Sequence, residues 1–198
     1  AGAAAAEPNG WYGAIDAGWH TADVETNRSI DSFETEDTWA GFARLGYRFT
    51  ENWRVELEGG HRAGGDFEAI TAGGAPGICA VGGGCAAPDG DIASTTLMLN
   101  VLFDFGSADS SLRPFIGLGA GVNRVNTEFS GVLAGGGGAV SADDSSSKLA
   151  AQALAGLAWA ISDRAHLDLT YRYLISNMEF ETAGGLGDFG GRYEDHSV

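Results

Sequence analysis

The chain has 198 residues, enough for one domain with a real core. Eleven Lys and Arg stand against 27 Asp and Glu, and the resulting formal net charge of −16 speaks against nucleic-acid binding, which needs a basic surface. No run of about 18 apolar residues occurs, so no membrane-spanning helix is written here, whereas a membrane β-barrel alternates apolar with polar residues and would leave no such run.

Residues 1–9 lack the charged start and long apolar stretch of a signal peptide and read as a flexible lead-in. From residue 10 a period of two takes over. In "GWYGAIDAGWH" one face carries Trp11, Gly13, Ile15, Ala17 and Trp19, and the other carries Tyr12, Ala14, Asp16, Gly18 and His20. A helix also brings together residues four apart, but interior glycines at 13 and 18 weaken a helix by about 1 kcal/mol each. "TWAGFARLGYRF" sets Trp39, Ala43, Leu45, Tyr47 and Phe49 against Phe42, Arg44 and Arg48. "NWRVELEGGHR" sets Trp53, Val55 and Leu57 against Arg54, Glu56 and Glu58. "STTLMLNVLFDF" and "RPFIGLGAGVNRV" continue the pattern, with Leu97, Leu99, Val101, Phe103 and Phe105 opposite Asp104, and Ile116, Leu118, Ala120 and Val122 opposite glycines. "SKLAAQALAGLAWAIS" (147–162) is Ala-rich and helical by propensity, yet its neighbours are strands, so a strand is expected there too. "HLDLTYRYL" sets Leu167, Leu169, Tyr171 and Tyr173 against Asp168, Thr170 and Arg172. Such repeated alternation predicts half-buried strands at 10–22, 38–49, 53–66, 91–105, 113–128, 147–160, 165–180 and 191–198.

The connectors alternate. Residues 23–37, 67–90, 129–146 and 181–190 are long and rich in Gly, Asp, Glu and Ser; 50–52, 106–112 and 162–165 are short. Outer-membrane barrels pair short periplasmic turns with longer extracellular loops in this way. In the second long connector Cys79 and Cys85 are the only cysteines. Their spacing and the missing partner ligands do not suit zinc, which leaves a small disulfide loop in an oxidising compartment or two free thiols.

Alternation alone does not say which face is inside; a soluble barrel or sandwich is the competing reading. Lipid outside is favoured by aromatic residues near the strand ends, namely Trp11, Trp19, Phe49, Trp53, Phe105, Trp159 and Tyr173, where an interfacial girdle belongs. The opposite face then turns Asp16, Arg44, Arg48, Arg54, Glu56, Glu58, Asp104, Asp168 and Arg172 into a lumen that an eight-stranded barrel fills with side chains. Buried charges must be paired, so a packed lumen of Arg–carboxylate pairs is expected.

"GWYGAIDAGW", "ARLGYRFTENWRVELEGGHR", "LRPFIGLGAGV", "LAGLAWAISDRAHLDLTYRYL" and "GRYEDHSV", in this order and spacing, resemble the transmembrane domain of the outer-membrane protein A (OmpA)-like β-barrel family of Gram-negative bacteria. The resemblance covers nearly the whole chain after residue 9. It implies an all-β, eight-stranded antiparallel up-and-down transmembrane barrel in the outer membrane, with four long extracellular loops. It also implies a structural, envelope-integrity or surface-interaction role with a largely plugged lumen, or at most a narrow porin-like channel. The implied partners are outer-membrane lipids and lipopolysaccharide, other envelope proteins, and peptidoglycan where a further domain follows the barrel. One departure stands out: the last segment is shorter than the 9–11 residues a crossing needs, so the closing strand reads as incomplete.

Chemistry is sparse. His20 and His61 lie near the outer ends of their strands with Ser32, Asp23 and Asp66 nearby in sequence, a set that serves loop anchoring as well as catalysis. "GGG" at 82–84 and "GGGG" at 135–138 lack the Lys-Ser/Thr and the strand–helix setting of a phosphate loop. The acidic residues of 23–37 follow no calcium-loop spacing. No catalytic residue, cofactor or metal site is therefore expected.

Overall fold

The structure, a computed structural model, describes residues 2–6, 10–26, 33–34, 37–66, 85–107, 110–133, 139–162, 165–180 and 189–198. Its elements are all strands: β1 (Gly2–Ala6), β2 (Gly10–Thr26), β3 (Phe33–Glu34), β4 (Thr38–Arg48), β5 (Trp53–Asp66), β6 (Cys85–Asp104), β7 (Leu112–Leu133), β8 (Ala139–Ser162), β9 (Ala165–Phe180) and β10 (Phe189–Ser197). Neighbours in sequence pair antiparallel from β4 through to β10, β4 pairs with β2, and β10 returns to β2. The wall is therefore a closed, eight-stranded, all-antiparallel barrel, with the short β3 attached to β2. Closure leaves no free edge around the wall, which is what a strand-built membrane crossing requires.

The Ala-rich segment 147–162 lies within β8, bonded to Leu112–Arg124 of β7 on one side and to β9 on the other. Tertiary pairing overrides its helical propensity. Strands β6, β7 and β8 are 20, 22 and 24 residues long, and they run into the connectors expected at 67–90 and 129–146. The β7–β8 ladder reaches Val132↔Ala139, and the β6–β7 ladder reaches Cys85↔Leu133. Backbone pairing thus continues beyond the last residues that alternate in sequence. The expected Cys79–Cys85 bridge lies outside the described residues: Cys79 is not among them, and only the backbone of Cys85 is.

The lead-in expected at residues 1–9 is replaced over Gly2–Ala6 by a strand. β10 covers β2 from Thr26 down to His20, and Val198 exchanges backbone hydrogen bonds with Trp19. Below it, β1 takes the same slot between β2 and β9, with Gly2 opposite both Asp16 and Asp168. β1 and β10 thus lie end to end and close one seam. The physical reason is the cost of the alternative: without β1, stretches of β2 and β9 would present unpaired amides and carbonyls at membrane depth.

Burial is inverted relative to a water-soluble protein. Leu149 is 81% and Leu118 71% exposed, while Arg62, Glu56 and Glu58 are 0% exposed. Glycines on the inner face make room for that filling. A Cβ on Gly46 would collide with the Tyr12 ring, and one on Gly119 with the Asn100 amide. Outward Gly59, by contrast, has open space around its Cα.

Candidate functional site

The inner face of the barrel holds a stacked charge network. At the short-turn end, Arg48 Nη2 donates to Asp104 Oδ2 at 3.0 Å, Arg54 Nε stands 3.2 Å from Asp104 Oδ1, and Arg113 donates to the Glu51 carbonyl. One layer up, Glu56 Oε1 accepts from Tyr12 (2.5 Å), Arg54 Nη1 (2.7 Å) and Arg44 Nη1 (3.2 Å). Arg44 Nη2 also reaches Asp16 Oδ1 at 2.8 Å and Asp168 Oδ2 at 3.0 Å. Arg172 bonds the other Asp16 oxygen and donates through Nε to Glu58 Oε2 at 3.1 Å. Gln152 Nε2 links Glu58 (2.9 Å) to Asn100 (2.7 Å).

Above this network the Phe42 ring meets two guanidinium groups, 4.0 Å from Arg172 and 5.0 Å from Arg62. Arg62 opens an upper cluster around Asp195. Asp195 Oδ1 accepts from Arg62 Nε (2.7 Å) and Ser197 Oγ (2.5 Å), and Oδ2 faces His20 Nδ1 (2.8 Å). An apolar layer of Ala22, Met98, Val125, Ala150, Leu174 and Tyr193 packs toward the long-connector end. Ser94, Asn123 and Ser176 form a hydrogen-bonded chain beside it.

All nine residues expected in the lumen point inward, and each finds an opposite charge within 3.2 Å. Sequence reading missed Arg62, Arg113 and Asp195, which share the same inward parity and were legible from it. It also missed the uncharged members Tyr12, Asn100 and Gln152, which alternation alone does not single out. Among the described residues the buried network counts six arginines (44, 48, 54, 62, 113, 172) against six carboxylates (16, 56, 58, 104, 168, 195), and so sums to zero. The two histidines of the suggested rim set do not converge: His20 points into the lumen, while His61 points outward against Trp39, ring centroids 5.7 Å apart. Ser32 is outside the described residues, and only the backbones of Asp66 and the strand ends beside it are described.

On the outer face Trp11, Phe49, Trp53, Phe105 and Trp159 are exposed and cluster toward the short-turn end, with Trp11 edge-on to Tyr47 at 5.2 Å and Trp53 edge-on to Phe103 at 5.0 Å. Trp19 sits toward the other end, opposite Trp39 across the β2–β4 ladder. Tyr173 is half-buried there, donating to Glu194 Oε2 at 2.7 Å with its ring 5.0 Å from His196. The eight steps from Trp11 to Trp19 span about 26 Å along the strand, or about 20 Å vertically at a tilt near 40°. With the ring diameters added, this matches the apolar band of about 25 Å expected of such barrels. Trp39, Tyr47, Phe103 and Tyr171 belong to the same two belts and were missed, although each lies on the outward parity.

No curated protein sequence matches the chain significantly. Among solved structures, the attachment invasion locus protein Ail of Yersinia pestis is similar, with 17% identity and a TM-score of 0.45 over 96% of this chain and 97% of that one. Neisserial surface protein A (NspA) gives 17% and 0.43 over 93% and 96%. The N-terminal β-barrel domain of OprF from Pseudomonas aeruginosa gives 12% and 0.33 over 91% and 95%. The model of the outer membrane protein beta-barrel domain matches residues 1–193, so the chain belongs to that family and crosses the Gram-negative outer membrane as a multi-strand barrel.

Proposed function

We propose that this protein is a non-conducting envelope scaffold that displays its long connectors at the cell surface for interaction with other molecules. The observation that carries this reading is the charge-neutral lumen, in which six arginines and six carboxylates interlock next to an apolar layer that includes Leu174, Met98 and Tyr193. An ion entering such a lumen must break buried pairs, each of which costs about 3–5 kcal/mol to break from one side. With the lumen self-cancelling, the −16 falls on the remaining 5 cations and 21 acids, which lie mostly in the long connectors and their rims. That surface is strongly acidic and suits contact with lipopolysaccharide phosphates through bridging divalent cations rather than directly. Trp39, Tyr171 and His196, on the outer face at that level, suit the headgroup boundary.

A narrow channel is the second reading. What favours it is a set of buried polar atoms without a hydrogen-bond partner among the described residues, including Arg54 Nη2, Asp168 Oδ1, Thr170 Oγ1 and Gln152 Oε1, which invite internal water. Planar-bilayer recording of the full chain separates the two. The scaffold reading expects no steady conductance above the bare bilayer, and sustained ohmic steps would overturn it. Deleting residues 67–84 should abolish partner binding while the barrel stays folded, and unchanged binding would move the interaction elsewhere.

A further inference from the structure

The lumen cancels its charge as a whole but not layer by layer. Arg48 is the last residue of β4, Arg54 the second of β5, Asp104 the last of β6 and Arg113 the second of β7. Antiparallel pairing therefore gathers three guanidinium groups and one carboxylate at the short-turn mouth. The next layer reverses the balance, with Arg44 and Arg172 against Asp16, Glu56, Glu58 and Asp168. Around Arg62 and Asp195 the charges match. The mouth thus holds two surplus positive charges beneath two surplus negative ones. Arg54 joins these two layers through Glu56 at 2.7 Å.

The donors at this mouth are not used up. A guanidinium group carries five N–H bonds. Arg48 donates to Asp104 at 3.0 Å, and Arg113 donates to the neutral Glu51 carbonyl. Among the described residues Arg48 Nε, Arg54 Nη2 and Arg113 Nε have no hydrogen-bond partner. Beside Arg113 the lining is small: β8 sets Ala158 opposite Arg113 and Ala160 opposite His166 of β9. Ala158, Ala160 and His166 are half-buried, so water reaches this side of the mouth from the turns. Arg48 also keeps 13% of its side chain exposed. Arg48, Arg54 and Arg113 all act electrostatically on His166, as does Asp168 above it.

We propose that the short-turn mouth binds a doubly charged phosphate, inorganic or a monoester, in the recess over Ala158 and Ala160. Arg113 and Arg48, within electrostatic range of each other, supply charge-assisted hydrogen bonds, and His166 borders the recess on the β9 side. Two negative charges cancel the local surplus, which a singly charged carboxylate or phosphodiester leaves half unmet. An anion seated there breaks no ion pair. Deeper entry is opposed, because in the layer above carboxylates outnumber Arg44 and Arg172. The mouth is then an end point for the anion, and its occupancy is read separately from conductance.

The test is solution NMR of the full chain in dodecyl maltoside micelles, which contain no phosphate. Inorganic phosphate is added at about pH 7.5, where most of it is doubly charged, against sodium chloride of equal ionic strength. The Nε–H signals of Arg48 and Arg113 should move along one saturating curve. That of Arg62, held by Asp195 at 2.7 Å, should stay in place. Arg48→Gln should weaken binding about tenfold or more, the ratio set by one charge-assisted hydrogen bond. Ala158→Leu fills the recess without touching a charge and should abolish the Arg113 response. A response that does not saturate, one matched by acetate or phosphatidylglycerol at the same concentration, or one unchanged in Ala158→Leu would each overturn the site; the first two need no variant to fold.

Discussion

The Tyr12 hydroxyl donates to Glu56 Oε1 at 2.5 Å, although Tyr12 stands on β2 and Glu56 on β5, with β4 between them. The contact is possible because the residue it passes over on β4 is Gly46, paired with both Tyr12 and Glu56, where any Cβ would run into the tyrosine ring. A glycine is needed here for close approach of a ring. Gly46→Ala should therefore displace the ring and destabilise the barrel by about 1–3 kcal/mol, the usual cost of overpacking. Tyr12→Phe keeps the packing and loses two hydrogen bonds, the one given to Glu56 and the one accepted from Arg54 Nη1 at 3.1 Å, of which the first alone is worth about 1.5–3 kcal/mol. Urea unfolding in detergent micelles, followed by tryptophan fluorescence, measures both. An unshifted midpoint in Gly46→Ala would show that the ring has another place to go.

Glu56 joins Arg44, Arg54 and Tyr12, so removing its charge takes one carboxylate from each of two guanidinium groups at once, leaving Arg44 with Asp16 and Asp168 and Arg54 with Asp104. Breaking a buried pair from one side costs about 3–5 kcal/mol, and Glu56→Gln should fall in that range. Pairing Glu56→Gln with Arg54→Met removes one of the two under-compensated cations and should restore part of the loss. The double-mutant cycle reports the coupling. Additive effects would mean that Arg54 draws its stabilisation from Asp104 instead, 3.2 Å from its Nε.

The strand pattern and both faces of the barrel were legible in sequence because each face sees one solvent along its whole length. That uniformity makes period two visible at Leu97, Leu99 and Val101 on one side and at Glu56 and Glu58 on the other. Legibility stops where the environment changes. "AVSADDSSS" carries no alternation, although its backbone pairs with β7 residue by residue. "GAAAA" likewise has no pattern to read, and its role comes from a vacancy between β2 and β9 that only the three-dimensional register reveals. The partners of each charge were equally hidden: parity puts Arg44 inside, but its three carboxylates come from β2, β5 and β9.

The outer face makes a position-dependent prediction. Leu118 is 71% exposed, six residues into β7 from the short-turn end, whereas outward Thr95 lies at the level of His61, on the polar boundary. Arginine on a lipid-facing strand costs about 2–4 kcal/mol at the bilayer midplane and about 0–1 near the interface. Leu118→Arg should therefore impair folding into lipid vesicles strongly and Thr95→Arg hardly at all, as read by the folding yield on cold gel electrophoresis. Equal tolerance of both would contradict lipid contact at Leu118.

The seam supplies the last prediction. Tyr12–Asp16 of β2 and Ala165–Asp168 of β9 pair with β1, while β10 covers only higher positions on both strands. Deleting residues 1–6 removes those ladder bonds without touching a lumen ion pair. Unsatisfied backbone at membrane depth costs several kcal/mol per group, so the two edges must either collapse together or admit water. Hydrogen exchange in nanodiscs distinguishes this from a global effect. Amides of Tyr12–Asp16 and Ala165–Asp168 should lose protection while those of the β6–β7 ladder, on the far side of the barrel, keep theirs. Retained protection at Tyr12–Asp16 in the deletion would mean that another segment takes the slot, and the wall would then be sealed without β1.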